Sequence, residues 1–208
     1  MIVCWAAKGG SGTTVVSCAM ALGSARSQPA TLIDLGGDCV TALGMPEPTG
    51  PGVVDWLASP TAGPTDLAHL GLTVRDDLQL IPRGDGAPPD DQWARLATAL
   101  ATLDNVIVDA GTGSPPQALH DSAEQSLLIL RPCFMAIRRA QRLTIRPTGI
   151  VLVDEPGRAL TSTDVERALG VGVVAEVRLD PAVARAVDAG LLIARLPRSL
   201  SISLRTAA

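Results

Sequence analysis

The chain has 208 residues, a length that fits one α/β domain with an ample core, and 47% of its residues are hydrophobic. Aromatic residues make up only 2%, which argues against a stacking surface for single-stranded nucleic acid. The formal net charge of −4 argues against a protein that binds nucleic acid over its whole surface.

The cysteines show neither the spacing of a metal site nor that of a disulfide framework, so we read them as reduced thiols in or near the core. They are Cys4, Cys18, Cys39 and Cys133. No apolar run approaches the roughly 18 residues that span a bilayer, and no basic leader precedes the first apolar run. We therefore expect a cytoplasmic protein, whose contact with a membrane or a cell pole is peripheral if it occurs.

A glycine-rich loop at residues 7–14 lies between an apolar run, residues 1–6, and a helix-like run, residues 14–22. Strand, glycine loop and helix in this order are typical of a phosphate-binding loop. The glycines let successive N–H groups point at an anion, and the start of the helix adds unpaired donors. The residues expected to hold phosphate are Lys8, Gly9, Gly10, Ser11, Gly12, Thr13 and Thr14. A glycine turn without a ligand is the alternative.

The loop departs from the ordinary Walker pattern at two positions, because Ala7 replaces the first glycine and Thr13 replaces the lysine. It has Lys8 at its front edge instead, and Lys8 is the only lysine among the 17 basic residues. A compact ammonium on a flexible stem suits a phosphate in a crowded loop. We therefore expect Lys8 to contact phosphate.

With these residues the loop resembles that of the deviant-Walker ParA/MinD ATPases, P-loop NTPases of the SIMIBI class, which reads Lys-Gly-Gly-x-Gly-Lys-Thr. Lys8 matches the signature lysine of the family, which implies a catalytic contact across a nucleotide-sandwich homodimer. Thr13 falls on the second lysine, and this replacement resembles the CpaE/TadZ branch, whose members position pilus or secretion machinery. The resemblance implies ATP and Mg²⁺ as ligands, with the Thr14 hydroxyl on the metal.

A short buried strand is predicted at residues 30–34, and Asp34 ends it at the edge where ligands bind in open α/β sheets. The following run resembles the Asp-x-Asp motif of the family. Asp34 matches the first acid, which implies support of the magnesium shell, whereas Gly36 replaces the second acid, which orients the attacking water. Asp38 follows two residues later. It either takes that catalytic role or is the N-cap of a helix that begins at Cys39.

The middle of the chain adds short elements without a new domain. Residues 44–51 are rich in proline and glycine, and short helices are predicted at residues 53–58 and 65–70. A strand at residues 78–82 and an amphipathic helix at residues 91–103 follow. We interpret this stretch as an excursion of the same domain.

A strand at residues 105–109 ends in Asp109 and is followed by Ala-Gly-Thr-Gly. A carboxylate at the end of a buried strand beside the phosphate loop can hold a magnesium water, as in a Walker B motif. The resemblance places Gly113 on the switch glycine whose backbone senses the terminal phosphate. A buried acid without a metal is the alternative for Asp109.

A strand at residues 126–130 leads into a helix predicted at residues 134–143. Arginines recur along this helix and past its end, at Arg138, Arg139, Arg142 and Arg146. Side chains four residues apart lie on one helix face, so the spacing predicts a basic stripe. The stripe is either a solvated face or a site for an anionic partner, which is an acidic protein, a lipid headgroup or the DNA backbone.

The strand predicted at residues 148–153 is followed by Asp154, where the resemblance implies an asparagine that reads adenine. A carboxylate only accepts hydrogen bonds. Asp154 could accept from the adenine amino group, could favour guanine, or could be a loop acid that faces solvent. The choice between ATP and GTP therefore stays open.

The remaining pattern gives a helix at residues 162–169, a strand at residues 172–177 and a helix from Asp180 to Gly190. The tail at residues 196–208 lacks the long basic amphipathic helix that binds membranes. The alternation of strands and helices predicts an α/β fold, a mostly parallel twisted sheet with helices on both faces. We expect a single P-loop NTPase domain over residues 1–208.

The resemblance implies a nucleotide-dependent protein that positions cellular machinery, in pilus or secretion assembly, septum placement or chromosome partitioning. Hydrolysis should be weak or absent, because position 13 lacks a cation and position 36 lacks an acid. The loss of one such contact typically costs about a hundred- to thousandfold in rate. The alternative is a pseudo-ATPase scaffold that no longer binds exchangeable nucleotide. A P-loop metabolic enzyme ranks below both, because no acid and base set for a substrate is recognisable.

Overall fold

The computed structural model describes residues 1–197, Leu200 and Leu204. The strands in this part of the chain are β1 (Ile2–Ala6), β2 (Ala30–Asp34), β3 (Leu72–Arg75), β4 (Leu78–Ile81), β5 (Val106–Thr112), β6 (Gln125–Leu130), β7 (Gly149–Asp154) and β8 (Val173–Arg178). They form one eight-stranded sheet in the order β3-β4-β2-β5-β1-β6-β7-β8. Neighbouring strands are parallel except β3 and β4, which are antiparallel.

Helices occupy most of the connections between the parallel strands. In the described residues they are α1 (Thr13–Ser24), α2 (Cys39–Leu43), α3 (Val53–Ala58), α4 (Pro64–His69), α5 (Trp93–Leu100), α6 (Gln117–Ser122), α7 (Phe134–Ala140), α8 (Ser162–Leu169) and α9 (Pro181–Asp188). The predicted α/β architecture with a mostly parallel sheet is confirmed. Among the described helices, none is both long and apolar enough to cross a bilayer.

The sheet separates two hydrophobic cores because successive side chains of a strand point to opposite faces. In β1, Cys4 joins the core that contains residues of α1, α2 and α9, whereas Val3 and Trp5 join the core that contains residues of α3, α5, α7 and α8. The indole N–H of Trp5 donates to Ser126 Oγ at 3.0 Å, so this buried donor is satisfied. Both faces of the central strand are therefore buried.

The parallel register brings the carboxyl ends of the central strands to one edge. Asp34 of β2 is the register partner of Asp109 in β5, and Asp109 is also the partner of Cys4 in β1. The glycine loop follows β1 at the same edge. This is the edge at which open α/β sheets bind ligands.

Two elements, β3 and α6, have no counterpart among the predicted ones. β3 is a four-residue edge strand whose side chains are half-buried or exposed, so no apolar run marks it. α6 has six residues and follows Pro116, its N-cap. Such short elements carry too little periodicity to be recognised from the sequence.

The predicted helix at residues 134–143 is α7, and it ends earlier, at Ala140. After α7 the backbone hydrogen bonds tighten, since Arg142 N–H donates to the Arg139 oxygen at 3.1 Å and Leu143 N–H to the Ala140 oxygen at 3.2 Å. The chain then turns away from the helix axis, and Ile145 is only 7% exposed. Arg142 and Arg146 therefore lie beyond the helix.

Other boundaries shift by a few residues. The helix predicted at residues 91–103 is α5, Trp93–Leu100, and the one predicted at residues 65–70 is α4, Pro64–His69, which begins with proline. α9 ends at Asp188, two residues before the predicted end. Most of the tail at residues 196–208 lies outside the described residues.

Arg95 of α5 holds the excursion that contains α3 and α4. Its guanidinium donates to the backbone oxygens of Trp56 and Leu57, both at 2.9 Å, of Ser59 at 3.0 Å and of Ala62 at 2.8 Å. The guanidinium carbon also lies 3.9 Å from the centroid of the Trp56 ring. One cation thus caps the end of α3 and fixes the following turn.

Two glycines let α2 and α9 approach closely. Gly44 ends α2 with φ 73°, and Gly190 follows α9 with φ 64°. A Cβ atom at Gly44 would collide with the backbone of Gly190. Gly44 is therefore required for conformation and for space, and Gly190 for its conformation.

Candidate functional site

The glycine loop after β1 presents unpaired backbone donors. Gly10 and Gly12 have φ angles of 76° and 94°, and Gly12 is the N-cap of α1. Among the described residues, no acceptor pairs with the N–H groups of Gly10, Gly12, Thr13 and Thr14. Ser11 is 4% exposed and closes the loop by donating its hydroxyl to the Lys8 oxygen at 2.7 Å. A loop of this shape is a ready anion site.

Lys8 is half-buried at the edge of the loop. Its ammonium donates to the Gly9 oxygen at 3.2 Å, and within the described part of the chain it forms no ion pair. A Cβ atom at Gly10 would meet nothing within 4 Å, so the space above the loop is open. The ammonium can therefore reach an anion that lies in the loop.

Thr13 and Thr14 begin α1 but face different surroundings. Thr13 is 7% exposed, and its backbone oxygen accepts from the Ser17 hydroxyl at 3.0 Å. Thr14 is half-buried, and its side chain acts to lower the pKa of Asp109 against the effect of burial. The structure thus brings the predicted metal ligands Thr14 and Asp109 together, and it places no cation at position 13.

Asp34 and Asp109 are almost completely buried, with exposed fractions of 1% and 0%. The Asp34 carboxylate accepts from Gly37 N at 2.6 Å and from Cys39 N at 2.9 Å, and Asp109 accepts from Gly111 N at 3.0 Å. Burial raises the pKa of Asp34 to about 6 in spite of its two backbone hydrogen bonds, and the neighbouring Asp109 adds to the rise. Burial likewise raises the pKa of Asp109.

Asp38 is exposed and stands at the N-cap position of α2, but its side chain makes no capping hydrogen bond. Its charge contributes to the raised pKa of Asp109, after burial, which is the main cause. Gly36 lies against the same acid, because a Cβ atom there would be 3.3 Å from Asp109 Oδ2. Asp38 therefore has the position of an N-cap, but its carboxylate does not form the capping hydrogen bond.

Gly113 follows β5, and Asp154 ends β7 on the other side of β1 in the sheet. Gly113 has φ 115°, and its N–H donates to the Ala6 oxygen at 2.8 Å, so in this conformation the amide is already satisfied. Asp154 is half-buried at the end of β7, and the preceding Val153 would lie 4.0 Å from a Cβ atom at Gly12. The end of β7 therefore borders the loop.

The predicted arginines are all exposed, but they do not form one helical stripe. Arg138 and Arg139 lie in the last turn of α7, and Arg142 and Arg146 lie in the segment that follows. None of them forms an ion pair with another described residue. Between Glu124 and Asp154 the sequence contains arginines and no acid. We call residues 125–153 the basic segment.

Sequence reasoning missed two apolar side chains at the start of α7. Phe134 is 72% exposed and Met135 is 55% exposed. Phe134 precedes Arg138 by four residues, and Met135 precedes Arg139 by four. The two side chains of each such pair are therefore neighbours on the helix surface. No pattern in the sequence marks them, because apolar residues at the start of a helix are usually buried.

Cys39 is the other residue that sequence reasoning missed. Its sulfur donates to Asp109 Oδ2 at 3.4 Å, and one ligand atom each of Asp34, Cys39 and Asp109 lie within 4.8 Å of one another. The neighbouring Cys18, burial and both carboxylates raise the pKa of the Cys39 thiol. Asp109 is 70 residues away in the chain, so motif spacing cannot reveal this contact.

A cavity of about 310 Å³ opens beside Asp34. Its lining mixes charge of both signs, from Asp34, Glu47, Arg83 and Asp85. Of the two buried acids, Asp34 lines this cavity and Asp109 does not.

The structure is similar to solved structures of ParA and MinD proteins. The ParA family ATPase from Chlorobium tepidum TLS matches with a TM-score of 0.78 at 15% identity, over 98% of this chain and 94% of the other. MinD from Aquifex aeolicus matches with a TM-score of 0.77 at 17% identity, over 98% and 92%. The fold is that of the ParA/MinD P-loop ATPases.

A third similar structure contains nucleotide. It is the septum site-determining protein MinD from Pyrococcus horikoshii OT3 complexed with Mg-ADP, with a TM-score of 0.73 at 15% identity over 97% of this chain and 91% of the other. No protein-family model matches the sequence, and no curated protein matches it. At these identities the similarity to the ParA/MinD structures is one of fold.

Proposed function

We propose that this chain is a nucleotide-binding protein that positions other cellular machinery, as ParA and MinD proteins do, and acts as a nucleotide-dependent homodimer. The observation that carries this proposal is the loop with unpaired N–H groups beside two buried carboxylates at neighbouring strand ends. A polyphosphate satisfies such donors, and a divalent cation satisfies such acids. The fold similarity to MinD complexed with Mg-ADP supports the same ligand class.

The donor set fits Mg-ATP. The N–H groups of Gly10 and Gly12 and of the first residues of α1 would cradle the phosphates, with Gly9 leaving room for their approach. The Thr14 hydroxyl and the carboxylates of Asp34 and Asp109 would hold magnesium, directly or through water. When bound, magnesium would neutralise negative charge on the phosphate oxygens.

In this proposal Lys8 contacts a phosphate, either of the nucleotide in its own subunit or of the one across the dimer. Its ammonium has no carboxylate partner in the described chain, so an anion in the loop is its available counter-charge. Ser11 supports the loop from inside through its bond to the Lys8 oxygen. The loop is therefore held in shape before the ligand arrives, which lowers the cost of ordering on binding.

Hydrolysis is weak or absent in this proposal. Thr13 supplies no cation for the charge that develops on the phosphate, and Gly36 supplies no acid to orient water. Asp38 is the acid left to orient water, because its carboxylate is exposed and free of a capping bond. The protein would then switch slowly between nucleotide states.

The missing cation at position 13 favours the CpaE/TadZ branch, and with it pilus or secretion machinery over septum or chromosome partitioning. The end of β7 borders the loop, and this supports a contact of Asp154 with the base of the nucleotide. As an acceptor it suits the adenine amino group or the donors of guanine. Binding of both nucleotides must therefore be compared.

For the basic segment we propose an anionic membrane surface as the partner. Exposed arginines attract anionic headgroups, and exposed Phe134 and Met135 one helical turn away can enter the apolar boundary. DNA would use the arginines but not the apolar pair. The segment is net positive although the chain has a net charge of −4.

The test is titration of fluorescent ATP and GTP in the presence of Mg²⁺. We expect micromolar binding that Lys8→Ala weakens by at least about tenfold, the loss of one charge-assisted contact. Arg26→Ala is the matched control, because this exposed cation follows the far end of α1. Absence of binding at millimolar nucleotide, or equal effects of the two variants, would refute the proposal.

A scaffold without exchangeable nucleotide is the second candidate. The bond from Gly113 N–H to the Ala6 oxygen favours it, because the amide expected to sense the terminal phosphate is satisfied internally. In that case the chain acts through its surface, and the titration above shows no binding while partner binding persists.

A further inference from the structure

The buried acids at the strand ends lack a cationic partner. Asp34 and Asp109 are 1% and 0% exposed, and no arginine or lysine of the described chain forms an ion pair with either. Buried carboxylates in proteins are generally paired with a cation or coordinate a metal. A divalent cation bound from solution would supply the positive charge that these two acids lack among the described residues.

A thiol completes this pair of acids. Cys39 is fully buried, and its sulfur belongs to the group of ligand atoms that lie within 4.8 Å of one another. The three residues come from β2, the start of α2 and β5, so the fold itself holds them together. Three protein ligands and one open position are typical of zinc sites that also bind water.

The distance between the Cys39 sulfur and the Asp109 carboxylate fits a thiophilic ion. Zinc lies about 2.3 Å from a thiolate sulfur and about 2.1 Å from a carboxylate oxygen, so tetrahedral ligands are about 3.6 Å apart. The Cys39 sulfur and Asp109 Oδ2 are 3.4 Å apart. The other pairs of ligand atoms also lie within 4.8 Å of each other.

The thiol also decides which ion is preferred. Magnesium takes oxygen ligands in an octahedron and keeps several waters, whereas thiolates select softer ions such as Zn²⁺, Co²⁺ or Cd²⁺. Of the three residues, Asp34 also lines the cavity of about 310 Å³. On binding, the Cys39 thiol releases its proton to solvent.

We propose that Asp34, Cys39 and Asp109 form a binding site for a thiophilic divalent cation such as Zn²⁺, and that this ion binds without nucleotide. This inference goes beyond the proposed nucleotide switch, which requires only magnesium and phosphate. It assigns to Cys39 a function that a space-filling core thiol lacks.

The test is titration of the metal-free, nucleotide-free protein with Co²⁺, followed by absorption. A thiolate ligand gives a charge-transfer band in the near ultraviolet, and added Zn²⁺ should remove the band by displacement. We expect the band in the parent and in Cys133→Ser, a control thiol outside the group. In Cys39→Ser we expect no band and Zn²⁺ binding weaker by more than about a hundredfold, since even second-shell changes cost about ten- to a hundredfold.

Two outcomes would overturn the proposal: no thiolate band in the parent, or Zn²⁺ binding that Cys39→Ser leaves unchanged. Asp34→Asn serves as a second variant should Cys39→Ser fold poorly, and it should weaken Zn²⁺ binding in a protein with unchanged far-ultraviolet circular dichroism. Because no nucleotide is present, failure of this test leaves the nucleotide proposal standing, and failure of nucleotide binding leaves this result standing.

Discussion

Replacing Asp34 by asparagine should stabilise the metal-free protein at neutral and alkaline pH. The carboxylate is 1% exposed and lies beside Asp109 without a cationic partner in the described chain. Asparagine keeps the shape and removes the charge. The substitution therefore measures what the ionised form costs the folded state.

The size of the effect follows from the pKa of Asp34, which burial raises from the ordinary value of 3.8 to about 6. One pKa unit corresponds to about 1.4 kcal/mol, so ionised Asp34 lowers the free energy of unfolding by about 3 kcal/mol. Asparagine has one carbonyl oxygen for the N–H groups of Gly37 and Cys39, and the lost bond costs about 1–2 kcal/mol. A net gain of about 1–2 kcal/mol remains.

The sign of the pH dependence is opposite to that of a salt-bridged acid. Below the unfolded pKa of 3.8 the carboxyl is neutral in both states and the penalty vanishes, whereas above the folded pKa of about 6 the penalty is fully present. Between these values the parent loses stability as pH rises. The advantage of Asp34→Asn should therefore be larger at about pH 8 than at about pH 5 by about 1.4 kcal/mol.

Urea unfolding of parent and variant at both pH values, with a chelator present, checks this prediction. Asp38→Asn controls for removal of one exposed charge from the same loop. A stability difference between parent and Asp34→Asn that stays constant with pH would show that the buried carboxylate does not titrate as reasoned. A destabilised variant at about pH 8 would show that its hydrogen bonds outweigh the cost of its charge.

Three further predictions concern other parts of the chain. Thr13→Lys should tighten nucleotide binding by about ten- to a hundredfold by adding a charge-assisted contact, and an unchanged dissociation constant would contradict the assigned position of this side chain. Arg95→Ala should lower the free energy of unfolding by about 2–4 kcal/mol in urea titrations, because four backbone oxygens lose their donor; Arg95→Lys should recover only part. Replacing Arg138, Arg142 and Arg146 by alanine should abolish salt-sensitive binding to anionic vesicles, and vesicle binding that persists unchanged would exclude these arginines as the contact.

The fold could be predicted because its signals are local. Buried strands that end in Asp34 and Asp109, and a glycine loop between strand and helix, are visible within short windows of sequence. The parallel register then places these motifs at one edge without further information. The roles of the loop residues are still proposals, because fold similarity does not test them.

What could not be predicted depends on contacts between distant segments or on exposure. The bond between Cys39 and Asp109 joins elements 70 residues apart, and the cysteine spacing indicated only a core thiol. The end of α7 at Ala140 depends on burial of Ile145 against other elements. Aromatic side chains are usually buried, whereas Phe134 is exposed, and the periodicity of the sequence does not indicate this exposure.

The close approach of Gly44 and Gly190 brings together two parts of the chain that are far apart in sequence. One of these glycines ends the helix that begins with Cys39, and the other follows the helix next to β8. A side chain at position 44 would push these helices apart, and α2 begins with Cys39, whose N–H donates to the Asp34 carboxylate. A substitution at Gly44 should therefore disturb the ligand edge of the sheet from a distance, through α2.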